Sequence, residues 1–162
     1  MPTGHERLLQ DRRSTSELVE AALAEGDEDP TEGGYLAIAV LHARGTREVL
    51  DAALASCRSP DSRRRALGAQ ILSELGSPER TFPEACCDAL LDLLSHDGDL
   101  RVLIKTVSAF GHLGNRRCEP DLIALRDHPD DLIRHGVAFA LGGTDSPASV
   151  RALLELMEDR LN

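Results

Sequence analysis

Apolar segments of helical period, each ending near a glycine, return along this chain at a regular interval, and that recurrence limits the fold more than any single residue does. Three copies are plain: Arg64 to Gly76, Val102 to Gly114 and Ile133 to Gly142. A weaker fourth runs from Gly33 to Gly45. Their matching large apolar positions, Leu41, Leu72, Phe110 and Leu141, stand 31, 38 and 31 residues apart. A period of 31 with one insertion of seven residues, placed over Ser77 to Glu84, accounts for all four.

Between these segments lie second apolar stretches, Glu48 to Cys57, Glu84 to Ser95, Asp121 to Arg126 and Val150 to Leu161, so each unit reads as a helical hairpin. The breaks Ser59-Pro60-Asp61, His96-Asp97-Gly98-Asp99 and His128-Pro129-Asp130 carry Pro or Gly to stop one helix and Asp or Ser to cap the next. A hairpin of about thirty residues cannot cover its own apolar face, and stacking neighbours merges those faces into one core. Leu67, Ile71, Leu72 and Leu75, then Leu103, Val107, Phe110 and Leu113, have the spacing that stacking needs. On Glu84 to Ser95, Leu90, Leu91, Leu93 and Leu94 cover most of the helix circumference, which predicts a helix touched on both sides.

Composition agrees. Hydrophobic residues make up 41% of the 162, yet aromatics supply only 2%, so the core must be Leu, Ala, Val and Ile. The expected fold is all-α, an α-α superhelix or solenoid of about four helical hairpins plus an amino-terminal helix over Ser14 to Glu25. That helix opens with Ser14 and Glu17 at capping-box spacing. Residues 1–13 are expected as a flexible tail, 14–162 as one solenoid domain, and the acidic stretch Gly26 to Gly34 as a mobile loop.

The segment IRHGVAFALG, Ile133 to Gly142, resembles the HEAT repeat in its short bacterial form, the type also found in phycocyanobilin lyases. Arg65 precedes Leu72 by the same seven residues that separate Arg134 from Leu141, so two copies share the arginine, whereas Leu103 and Gly34 occupy that place in the others. The resemblance covers roughly residues 33–161 and implies an α-α superhelix whose second helices line a concave side. This repeat hosts many unrelated activities, so the resemblance speaks to architecture.

Twenty-eight acidic against 18 basic residues leave a net charge of −10, which disfavours nucleic acid and anionic membranes as partners. Lys105 is the only lysine, so the cations are suited to forked ion pairs with carboxylates. On the second helices, Asp51, Glu84, Asp88, Asp92, Glu155 and Glu158 form a mainly acidic stripe, read as the binding surface for a basic protein or peptide. Arg65 and Arg134 are expected to form inter-repeat ion pairs. The neighbouring Arg63-Arg64-Arg65 run sits at a helix start where the macrodipole disfavours cations, so ion pairing, or an anion-recognising ridge shared with Arg116 and Arg117, should justify it.

Chemistry finds little purchase. The six histidines are scattered, there is no HExxH, and no phosphate-binding glycine loop occurs. Cys57, Cys86, Cys87 and Cys118 lack metal-ligand spacing and read as reduced core filler, so no metal, cofactor or catalytic residue is assigned. With neither a run of 18 apolar residues nor an apolar leader, a cytoplasmic protein is expected.

The expectation is therefore a non-enzymatic interaction module or adaptor. The alternatives are an accessory, lyase-like helper acting on a cofactor-bearing protein, marked by an apolar pocket with convergent polar groups, and a small inhibitor or immunity-type protein masking a basic partner. Leu153, Leu156, Met157 and Leu161 give the last hairpin more apolar material than one neighbour covers, which predicts a weak homodimer through the carboxy-terminal end.

Overall fold

The computed structural model describes residues 3–25, 36–114 and 116–159. Gly26 to Gly34, read as a loop, and Leu161, read as part of the last apolar face, lie outside the described residues.

The described residues form α-helices, one 3-10 turn and no strand. Two helices precede the repeats: α1 (Gly4–Leu8) and α2 (Thr15–Glu25). Ser14 and Glu17 make the reciprocal capping box, the Glu17 amide donating to Ser14 Oγ and the Ser14 amide to Glu17 Oε2. Leu18 is fully buried beneath it. Four hairpins follow: α3 (Ala37–Arg44) with α4 (Arg47–Cys57), α5 (Ser62–Ser73) with α6 (Pro83–His96), α7 (Leu100–Leu113) with α8 (Glu119–Ala124), and α9 (Asp131–Gly142) with α10 (Pro147–Asp159). In the third hairpin the turn Arg116–Cys118 runs into α8, whose first turn holds Pro120.

The junctions repeat the same chemistry. Asp61, Asp99 and Asp130 cap α5, α7 and α9, each carboxylate accepting from the backbone N–H two residues on. This common start keeps the three helices in register, and α5 packs along α7 as α7 packs along α9. The recurring positions Leu41, Leu72, Phe110 and Leu141 are at most 1% exposed. Each second helix but the last packs mainly on the first helix of the following hairpin, α4 on α5, α6 on α7 and α8 on α9, while α10 packs on α9 and α2 touches α3, α4 and α5. On α6, Leu90 and Leu93 are buried and Leu91 and Leu94 half-buried, so the helix is touched on more than one side. Within the segment expected as a tail, Leu8 packs against the core and Arg44 donates to the carbonyls of Asp11 and Arg13.

The insertion expected near Ser77 to Glu84 is an ordered clasp over Glu74 to Phe82 at the carboxy ends of three first helices. Gly76 N–H donates to the His42 carbonyl of α3 at 2.8 Å, and Thr81 Oγ1 donates to the Gly45 carbonyl at 2.8 Å. Arg80 reaches the Ser73 carbonyl of α5 at 2.5 Å and the His112 carbonyl of α7 at 2.7 Å. Arg80 and Phe82 hold φ of 60° and 52°, a region that side-chain-bearing residues seldom enter.

Candidate functional site

The carboxylates of the acidic stripe sit on α4, α6 and α10, and most are engaged by cations. Asp51 takes Arg47 at 2.9 Å one helical turn away. Glu84 and Asp88 both hold Arg117 at 2.8 Å, and Asp92 stands 3.1 Å from the His96 imidazole. Glu155 takes Arg126 at 2.8 Å, and Glu158 is exposed one turn along α10. The residues thus form two groups. Among the described residues, Glu84, Asp88 and Asp92 recur on one face of α6, where Glu84 and Asp88 share Arg117, whereas Asp51 faces Arg47 and Glu155 faces Arg126.

Arg65 lies at the junctions, as its position predicts. Its guanidinium forks onto Asp97 at 2.5 and 3.1 Å and also donates to the carbonyls of Ser59 and Pro60 at 3.0 Å. It therefore ties the turn before the second hairpin to the turn after it. Arg134 makes the matching turn contacts, donating to the carbonyls of His128 and Pro129 at 2.8 and 3.0 Å. Sequence reasoning missed Arg117 and Arg126 as links between hairpins. The available signal was opposite charge at about one repeat: Arg117 and Glu84 are 33 residues apart, Arg126 and Glu155 are 29.

Arg65 holds the Asp97 carboxyl below the usual carboxylate range, against the opposing effect of partial burial. The Asp97 side chain is 6% exposed. A carboxyl whose pKa is lower in the folded state stabilises the fold above its unfolded value, near ~4, and that stabilisation fades as pH falls through the folded value. Asp97→Asn is expected to cost about 2 kcal/mol at neutral pH. The gap to the wild type should close as urea melts are moved to roughly pH 2. A gap of unchanged size across that range would remove the ion pair from the account.

The other arginines of the run part company. Arg64 forks onto Glu20 of α2 at 2.7 Å, and Arg116 pairs with Asp145. Arg63 points to the Leu23 carbonyl at 3.4 Å and lines a shallow cleft with Arg101 and Lys105. Four of the five arginines suggested as an anion ridge are therefore bound to carboxylates.

All four cysteines are buried. Burial pushes the Cys57 and Cys118 thiols up to about 12 and Cys86 to about 11, so these sulfurs stay protonated. His42 is largely enclosed, with a ring nitrogen 2.9 Å from the Gln70 carbonyl, and burial pushes its pKa down. Among the described residues no cluster of His, Cys, Asp and Glu is arranged to hold a metal ion, and no helix is long and apolar enough to cross a membrane.

A row of capped helical hairpins with shared register and inter-hairpin arginines is the arrangement that helical repeat families build. A family model described as HEAT repeats matches residues 87–162. The match supports a HEAT-repeat protein. It spans most of α6, the third hairpin and the fourth, and α5 carries the same N-cap and arginine pattern just ahead of it. HEAT repeats commonly mediate protein–protein interaction, which accords with an adaptor role. No curated protein matches the chain.

Proposed function

We propose that this HEAT-like stack is a protein-binding module that receives a basic segment of its partner on the α6 side. The supporting observation is the α6 face itself. Glu84, Asp88 and Asp92 are 71, 63 and 75% exposed, Glu84 and Asp88 share the Arg117 guanidinium and Asp92 stands against His96, so carboxylates outnumber these cations on the face. Asp51 on the neighbouring α4 is paired with Arg47, Glu155 and Glu158 lie farther along on α10, and the net charge of −10 steers a cationic partner towards the α6 carboxylates.

A helper acting on a cofactor-bearing protein would call for an enclosed apolar pocket. Among the described residues, an apolar cleft between α9 and α10 is open rather than enclosed, a shape that suits a protein surface better.

Affinity capture from native extract, at low and moderate salt, tests the reading. A partner retained by the wild type should be lost with the Asp88→Lys, Asp92→Lys double variant. The thermal midpoint should hardly move, because exposed ion pairs contribute little to folding. Equal capture by both proteins would remove the α6 face as the binding surface.

A further inference from the structure

The carboxy ends of three first helices gather titratable groups around one carboxylate. Glu74, where α5 gives way to the clasp, stands 3.7 Å from His42 Nδ1 of α3, 3.6 Å from His112 Nδ1 of α7 and 3.8 Å from the Arg80 guanidinium of the clasp. The clasp grips α3 and α7 at these same two histidines: the Gly76 amide donates to the His42 carbonyl, and Arg80 donates to the His112 carbonyl. The rings that face Glu74 therefore belong to the residues that hold the clasp down.

His42 is the enclosed member of the pair, its side chain 13% exposed against 45% for His112. A carbonyl can only accept, so the ring nitrogen 2.9 Å from Gln70 O, Nε2, carries the hydrogen and Nδ1 faces Glu74 as a bare acceptor. A further proton must add at Nδ1. Glu74 favours that charge, whereas burial, Arg80 and His112 oppose it, and burial is the largest effect. The other charged groups near α3 are turned elsewhere. Arg44, on the same helix, donates to the carbonyls of Asp11 and Arg13, and Glu25 of α2 accepts from the Ala37 amide at the opposite end. From α9, the ring that meets His112 is the uncharged Phe139, at 5.2 Å.

We propose that Glu74, Arg80 and the two histidines make the clasp an acid-released latch, closed while the His42 ring is neutral and opened when it takes a proton. With His42 charged, two cations compete for Glu74, and Arg80 belongs to the segment that can swing away. That segment can part from the stack without unstacking it. None of residues 77–82 is buried, and the positive φ of Arg80 and Phe82 lowers what closure gains. Linkage gives the sign. The enclosed ring takes a proton less readily than a free imidazole, whose pKa is about 6.5, so below that value protons favour the open form, by at most about tenfold per pH unit. No residue of the latch lies on the α6 face, so it stands or falls separately from the partner reading.

Amide hydrogen exchange on the full chain, followed by NMR at roughly pH 7.5 and roughly pH 5.5 and corrected for the intrinsic rate at each, provides the test. Protection of the Gly76 and Thr81 amides should fall about three- to tenfold on acidification, while that of Val137, in the middle of α9, holds. His42→Gln, whose amide takes no proton, should make the two clasp values equal, and His112→Gln should leave most of the fall in place. Independently of any variant, the carbon-bound proton of the His42 ring should titrate with a midpoint below ~6.5 in the wild type. Constant protection at Gly76 and Thr81, or an equal fall at Val137, would overturn the latch. So would a His42 midpoint at or above ~6.5, or a response removed by His112→Gln and kept by His42→Gln.

Discussion

Leu72→Ala should remove about 2 to 5 kcal/mol of stability, a large part of what a domain of this size has to lose. The side chain is fully buried on α5, the helix that packs against α4, α6 and α7, so no single neighbour can move in to fill the space without leaving another. Its counterparts Leu41, Phe110 and Leu141 occupy the same place in the other hairpins, and each is enclosed to the same degree. The sequence treats Leu94 as an equal, because it too lies on a strongly apolar helix. In the structure Leu94 is half-buried, so Leu94→Ala should cost clearly less. Urea unfolding followed by circular dichroism reads both. Equal losses, or a loss below ~1 kcal/mol for Leu72, would mean that the stack has a looser interior than its burial indicates.

Gly76→Ala is expected to be nearly as damaging for a different reason. Gly76 has φ of 76°, a backbone conformation that costs an L-residue about 1–2 kcal/mol. A methyl group there would also lie 2.5 Å from Thr81 Oγ1 and 2.6 Å from the Thr81 amide nitrogen. Thr81 cannot retreat freely, since its hydroxyl donates to the Gly45 carbonyl and its amide to the Leu75 carbonyl. The substitution should therefore pry the clasp from the ends of α3 and α5, with a total loss of about 2 kcal/mol or more. Gly98, with nothing within 4 Å of its added Cβ, is the matched control. If Gly76→Ala and Gly98→Ala melt at the same temperature, the clasp contributes nothing to the stack.

Local chemistry made the helices and junctions legible. Asp61, Asp99 and Asp130 each follow a Pro or Gly and precede an apolar run, and an aspartate there has one low-energy use, accepting from the free amides of the next helix. The core positions were legible because helical periodicity and a 31-residue repeat point to the same residues. Side-chain partnerships were not. A sequence shows that Asp88 and Arg117 have opposite charges, but only the stacking geometry brings them within 2.8 Å. The acidic stripe therefore looked more uniform than it is, with Asp51 and Glu155 balanced by arginines and the α6 carboxylates in surplus. The seven extra residues could be located but not shaped, because positive φ at Arg80 and Phe82 follows from contacts with distant helices and not from local preference.

The central claim is that a basic partner sits on α6. Carbodiimide labelling of carboxylates, read by mass spectrometry with and without the captured partner, tests it most directly. Labelling of Glu84, Asp88 and Asp92 should fall sharply on binding, while Asp51 changes less and Glu20, on α2, stays constant. Unchanged labelling on α6, with protection appearing at Asp131 or elsewhere on the last hairpin, would contradict it.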